Sequence, residues 1–143
     1  MRLCTAILLT FAAAAAVAQP APDVQTTPDV VVYYLHGDFR CKTCLMLEDM
    51  TVRAVRDSFA TQLEDKVLDL QVVNFMSEGN EHFEQDFQLE QQSVIVVERE
   101  AGKIVRWKNL EKIWDLYDRP LQFAAYVAGE TRLYLDGVPE TKP

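Results

Sequence analysis

Glycine is scarce in this chain. Five occur in 143 residues, and none forms the G-x-G-x-x-G turn that cradles a dinucleotide or the loop that wraps a phosphate. Flavin, nicotinamide and nucleotide chemistry therefore have no signature here. Histidine is scarcer still, with His36 and His82 the only two. A closed tetrahedral zinc site takes four ligands, so it would have to draw in both histidines together with Cys41 and Cys44. Basic residues are outnumbered: 14 Lys and Arg face 22 Asp and Glu, for a net charge of −8. Such a surface repels a phosphate backbone, which argues against a nucleic-acid partner. No Ser-His-Asp order and no paired-carboxylate site stands out. The one long apolar run, residues 3–17, is shorter than the ~20 residues a membrane span needs, so no stable insertion of the mature chain is expected.

That run reads as part of a cleavable signal peptide over residues 1–18. Arg2 supplies the positive start, and Ala16 and Ala18 sit where a peptidase needs small side chains, before Gln19. Cys4 precedes the apolar stretch and would leave with it. Residues 19–29 hold Pro20, Pro22 and Pro28 and read as a flexible spacer. The expected location is periplasmic or secreted, where disulfides form and persist. Residues 30–135 are expected to form one domain, with 136–143 a disordered tail.

Within the domain, "VVVYYL" (residues 30–35) is a continuous apolar, β-branched and aromatic run. It suits a strand buried on both faces. From Cys41 to about Leu63 the pattern turns helical, with Leu45, Met46, Val52, Val55, Phe59 and Leu63 expected on one side. "VLDLQVVNF" (67–75) reads as a second strand. A short helix over roughly 81–88 is expected to follow, with Asn80 as its N-cap and Phe83 and Phe87 on one side. "SVIVVE" (93–98) and residues 104–107 read as a hairpin around the turn "EAGK". Helices are expected over about 110–117 and, after Asp118 and Pro120, on to about Leu135. The order β-α-β-α-β-β-α, with an extra C-terminal helix, predicts an α/β fold: a mixed four-stranded sheet flanked by helices, its first two strands parallel.

Two cysteines stand where the first strand hands over to the first helix: "HGDFRCKTC". Cys41 falls near the N-cap and Cys44 about one turn in. The unpaired N–H groups and partial positive charge of a helix N-terminus favour a thiolate, and Arg40 and Lys42 push the same way. A lowered pKa is expected for Cys41, with Cys44 the more covered sulfur. That asymmetry suits disulfide exchange: Cys41 attacks, Cys44 resolves. The same pair could instead capture Cu(I) or As(III), with His36 as a third ligand, or serve as a plain staple in a non-catalytic accessory subunit. His36 otherwise reads as a strand-end residue satisfied by a backbone group, or as a proton relay. Met46 and Met50 read as core filling, His82 as solvated, and Trp107 and Trp114 as core or groove aromatics.

A CxxC at the strand-to-helix junction of a βαβ unit resembles a thioredoxin-like domain. More narrowly, "VVVYYLHGDFRCKTC", Glu48, "VVNF", His82, "SVIVVE" and "RWKNL" resemble the ArsF family of nitrophenyl compound nitroreductase subunits, over about residues 30–135. The resemblance implies a thioredoxin-like fold with Cys41 and Cys44 as the functional pair. A redox-active couple of this kind is expected to work with a protein thiol or disulfide partner, or an upstream reductase. The position that carries a cis-proline in thioredoxins is Ser93 here, so a trans bond and a reshaped loop against the cysteines are expected. The usual buried acid is replaced by Leu35, leaving His36 and Glu48 as proton acceptors for Cys44.

Overall fold

The computed structural model describes residues 29–138. The expected signal peptide over 1–18 with Cys4, nearly all of the expected spacer and residues 139–143 lie outside that range. Four strands form one sheet: β1 (Val30–His36), β2 (Leu68–Asn74), β3 (Ser93–Glu100) and β4 (Lys103–Asn109). Their order is β2-β1-β3-β4. β1 runs parallel to β2, from Val30 opposite Leu68 to His36 opposite Asn74. It is antiparallel to β3, and β3 to β4. β1 is therefore interior and covered on both faces, which is why all seven of its residues are buried and why its sequence is an unbroken apolar run rather than an alternation.

Alternation along β1 divides the core in two. Val30, Val32 and Tyr34 face α1 (Lys42–Ser58) and α4 (Pro120–Leu135), packing with Leu47, Val55, Phe123 and Val127. Val31, Tyr33 and Leu35 face the other way, against Phe87 and Leu89, next to the short helix α3 (His82–Asp86). The hairpin turn places Ala101 at φ 49° and Gly102 at φ 78°. Two successive left-handed residues make the tight connection whose twist matches that of the strands.

Four details differ from the sequence expectation. The first helix stops at Ser58, and a second, α2 (Ala60–Glu64), begins after Phe59. Phe59 leaves the helical region, at φ −137°, and is fully buried; the break lets its ring enter the core. The inward face of α1 is Cys44, Leu47, Thr51, Ala54 and Val55, while Leu45 and Met46 are exposed at 50% and 38%. Met50 does pack against the core. Asn80 does not cap α3 through its side chain; its amide instead donates to the Asn74 carbonyl at 3.0 Å. The expected helix over 110–117 is a 3₁₀ turn, Glu111–Trp114.

α4 begins with Pro120 in its first turn. It closes when Val138 N–H donates to Leu133 O at 2.9 Å and Gly137 N–H to Tyr134 O at 3.2 Å. Gly137 has φ 63°, the left-handed residue this closing turn requires. Residues 136–138, the first of the expected tail, thus form the turn that closes the helix.

Candidate functional site

β1 ends at His36, and the loop through Gly37, Asp38, Phe39 and Arg40 delivers the chain to α1. Cys41 is the N-cap residue, in extended conformation at φ −73°, ψ 163°. Its Sγ accepts the Cys44 N–H at 3.0 Å, the role an oxygen usually plays at this position. Cys41 and Cys44 are joined by a disulfide, with Cα atoms 5.0 Å apart. Cys41 is half-buried and Cys44 only 2% exposed. Cys41 is therefore the more accessible residue of the pair.

Beneath the pair lies a residue that the sequence reading passed over. Tyr34 is fully buried in β1, and its hydroxyl donates to the Cys44 carbonyl at 2.6 Å. Burial pushes its phenol pKa up, and the Glu48 carboxylate adds to this while Arg40 opposes it. A tyrosine inside a wholly buried strand must find a partner for its hydroxyl; that requirement was the available signal. Leu35 points into the opposite core cluster, so on the α1 side the strand presents Tyr34 and His36.

His36 is 9% exposed. Its Nδ1 lies 2.9 Å from the Gly37 carbonyl and so carries the proton. Its Nε2 then accepts from Arg40 Nη1 at 3.1 Å. The other arm of the guanidinium donates to the Glu48 carboxylate. His36, Arg40 and Glu48 thus form one hydrogen-bonded group beside the start of α1, with the Tyr34 ring 6.4 Å from that of His36. Lys42 is exposed just after Cys41.

Ser93 opens β3 opposite Leu35. It is 3% exposed and donates to the Gln91 carbonyl at 3.0 Å. No cis peptide bond occurs among the described residues, so the bond before Ser93 is trans, as expected. Gln92 closes the polar stretch "EQDFQLEQQ" (residues 84–92), whose composition alone suits a solvated face. Its amide donates to the Phe39 carbonyl at 3.1 Å, and its own carbonyl accepts from Trp114 Nε1 at 3.2 Å. An amide thus joins this loop to the cysteine loop. A cavity of about 440 Å³ lies on its other side, lined by Gln88, Glu90, Gln91, Ser93, Asn109, Glu111 and Trp114. Phe39 projects into solvent at 78% exposure.

His82 is exposed and pairs with Asp86 at 2.8 Å, stacking on Phe83, away from the cysteines on α3. Trp107 packs on Phe87. Among the described residues no group of three or more His, Cys, Asp or Glu is placed to hold a metal ion, and no helix is long and apolar enough to cross a membrane. No family model, curated protein or solved structure matches this chain.

Proposed function

We propose that this chain is an exported thiol–disulfide oxidoreductase of thioredoxin-like architecture, working through the Cys41–Cys44 couple with a protein thiol or disulfide partner, or an upstream reductase. The observation that carries the reading is the asymmetry of the pair: a half-buried Cys41 at the N-cap, with the Cys44 amide aimed at its sulfur, and a covered Cys44 one turn in. A parallel β1–β2 pair and an antiparallel β3–β4 hairpin around a central β1 support the thioredoxin-like architecture.

In the reduced form the Cys41 thiolate attacks one sulfur of a partner disulfide, and the partner's other sulfur leaves as a thiolate. Cys44, once deprotonated, attacks Cys41 Sγ of the mixed disulfide and releases the partner's second thiolate. The partner gains two electrons and the Cys41–Cys44 bond forms. Run backwards, the same steps oxidise a partner's dithiol. The helix N-terminus stabilises the attacking thiolate, and the charge of Lys42 acts in the same sense. Ser93 supports the loop that faces the pair.

The test is exchange with glutathione buffers, with the single-cysteine variants. Cys44→Ser should accumulate a mixed disulfide with glutathione, and Cys41→Ser should not. A wild-type dithiol that fails to exchange but takes up Cu(I) or As(III) stoichiometrically would replace this reading with a soft-ion binding module. Neither exchange nor uptake would leave a structural bridge in an accessory subunit.

A further inference from the structure

We infer that Arg40 is built to receive the thiolate of the reduced pair, its buried and unpartnered Nε–H being a donor reserved for the Cys41 sulfur. This rests on the exchange reading above and names the group that sets the poise of that site. The guanidinium is held from two directions, by His36 Nε2 at 3.1 Å and by the Glu48 carboxylate. Arg40 immediately precedes Cys41, and its two anchors, His36 before the pair and Glu48 one helical turn beyond Cys44, flank the segment that carries both sulfurs. Its third donor, Nε–H, is buried and meets no acceptor among the described residues. A buried donor left unmet is rare and costly, and a redox role is one of the few reasons to keep it.

The disulfide in this structure is neutral and a poor acceptor. Reduction supplies what is missing. Two partner thiols give up two electrons and two protons as their own S–S bond forms. The Cys41–Cys44 bond breaks to give a Cys44 thiol, which keeps one proton, and a Cys41 thiolate, whose proton goes to solvent. That thiolate meets the Cys44 amide already directed at its sulfur and the waiting Arg40 N–H. A charge-assisted bond of this kind exists only in the reduced state, so it makes the disulfide more oxidising.

The neighbouring charges are few. Lys42 follows Cys41 and is exposed. Asp38 accepts from Asn74, and the Tyr34 hydroxyl is spent on the Cys44 carbonyl. On α4, which packs along α1, Glu130 pairs with Lys108 and Arg132 lies over Phe59.

The experiment titrates Cys41 alone, in the full-length Cys44→Ser protein, by the ultraviolet absorbance of its thiolate. Adding Arg40→Gln should raise the Cys41 pKa by about one unit, a tenfold loss of thiolate at a fixed pH below it. In the two-cysteine protein the same change should move the glutathione equilibrium tenfold toward the disulfide, about 30 mV more negative. Arg40→Lys keeps the charge but neither the Nε–H nor the fork, and should lose more than half of the effect. Lys42→Gln should shift the pKa less than Arg40→Gln does. An unchanged pKa in Arg40→Gln, or an Arg40→Lys protein that titrates like its parent, overturns the inference. Should Arg40→Gln fail to fold, the Arg40→Lys comparison decides. The titration needs no exchange, so a wild-type protein inert to glutathione would refute the exchange reading without touching the Arg40 result.

Discussion

Single side chains around the cysteines divide into those that hold the backbone and those that act on the sulfur. Tyr34 belongs to the first group. Tyr34→Phe removes the donor to the Cys44 carbonyl with little change of shape, and should cost about 1 kcal/mol, read as a lower urea midpoint at constant slope. Lys42 belongs to the second. It is exposed, its charge acts through solvent, and Lys42→Glu should make the reduction potential of the couple more negative by destabilising the thiolate; equilibration with glutathione measures it. Little of this division was legible beforehand. The charges flanking Cys41 could be read directly, but the use of the Tyr34 hydroxyl and of His36 as an acceptor for Arg40 depends on the path of the loop from β1 to α1, and the Gln92 bridge to Phe39 joins segments far apart in sequence.

Secondary-structure elements test whether local pattern or tertiary contact sets each boundary. Phe59 marks the junction of α1 and α2 and is fully buried. Phe59→Ala should destabilise the protein by about 3–5 kcal/mol through the cavity it leaves, seen as a large drop in thermal midpoint. Gly137→Ala keeps every contact but forces a Cβ into φ 63°, and should cost about 1 kcal/mol by the same measurement. β1, the hairpin and α4 were legible because each carries a strong local signal: an unbroken apolar run, a glycine at the turn, a proline at the helix start. The buried face of α1 was legible only in part: Val55 and Phe59 are buried as expected, while Leu45 and Met46 are exposed. Its inward residues include Thr51 and Ala54, which rank low as apolar anchors, and Thr51 is buried because its hydroxyl donates to the Leu47 carbonyl at 2.7 Å. The break at Phe59 has no glycine or proline to announce it, and four residues of 3₁₀ turn are too few to show a period.

The molecule as a whole titrates at its alkaline end. Tyr33, Tyr34 and Tyr126 all have pKa values raised above the ordinary 10.0, chiefly by burial. Below pH 10 each is protonated in both folded and unfolded chains and contributes no pH dependence. Above it the unfolded chain releases protons that the folded chain retains, so stability falls as pH rises toward the folded values. Urea midpoints should therefore decline from about pH 10 upward, with the phenolate absorbance of these three rings appearing together with unfolding, while the exposed Tyr117 is free to ionise without it. A midpoint flat beyond that pH would contradict the burial of these rings.

The bridge built on Gln92 has an optical consequence. One of the chain's two tryptophans, Trp114, is wired through Gln92 to the carbonyl of Phe39, two residues from the reactive sulfur. The other, Trp107, leans on Phe87 across the sheet. Any movement of the cysteine loop on bond cleavage reaches one indole and bypasses the other. The protein so carries an internal fluorophore for its own oxidation state, and Trp114→Phe should silence the emission change that accompanies reduction while Trp107→Phe leaves it intact.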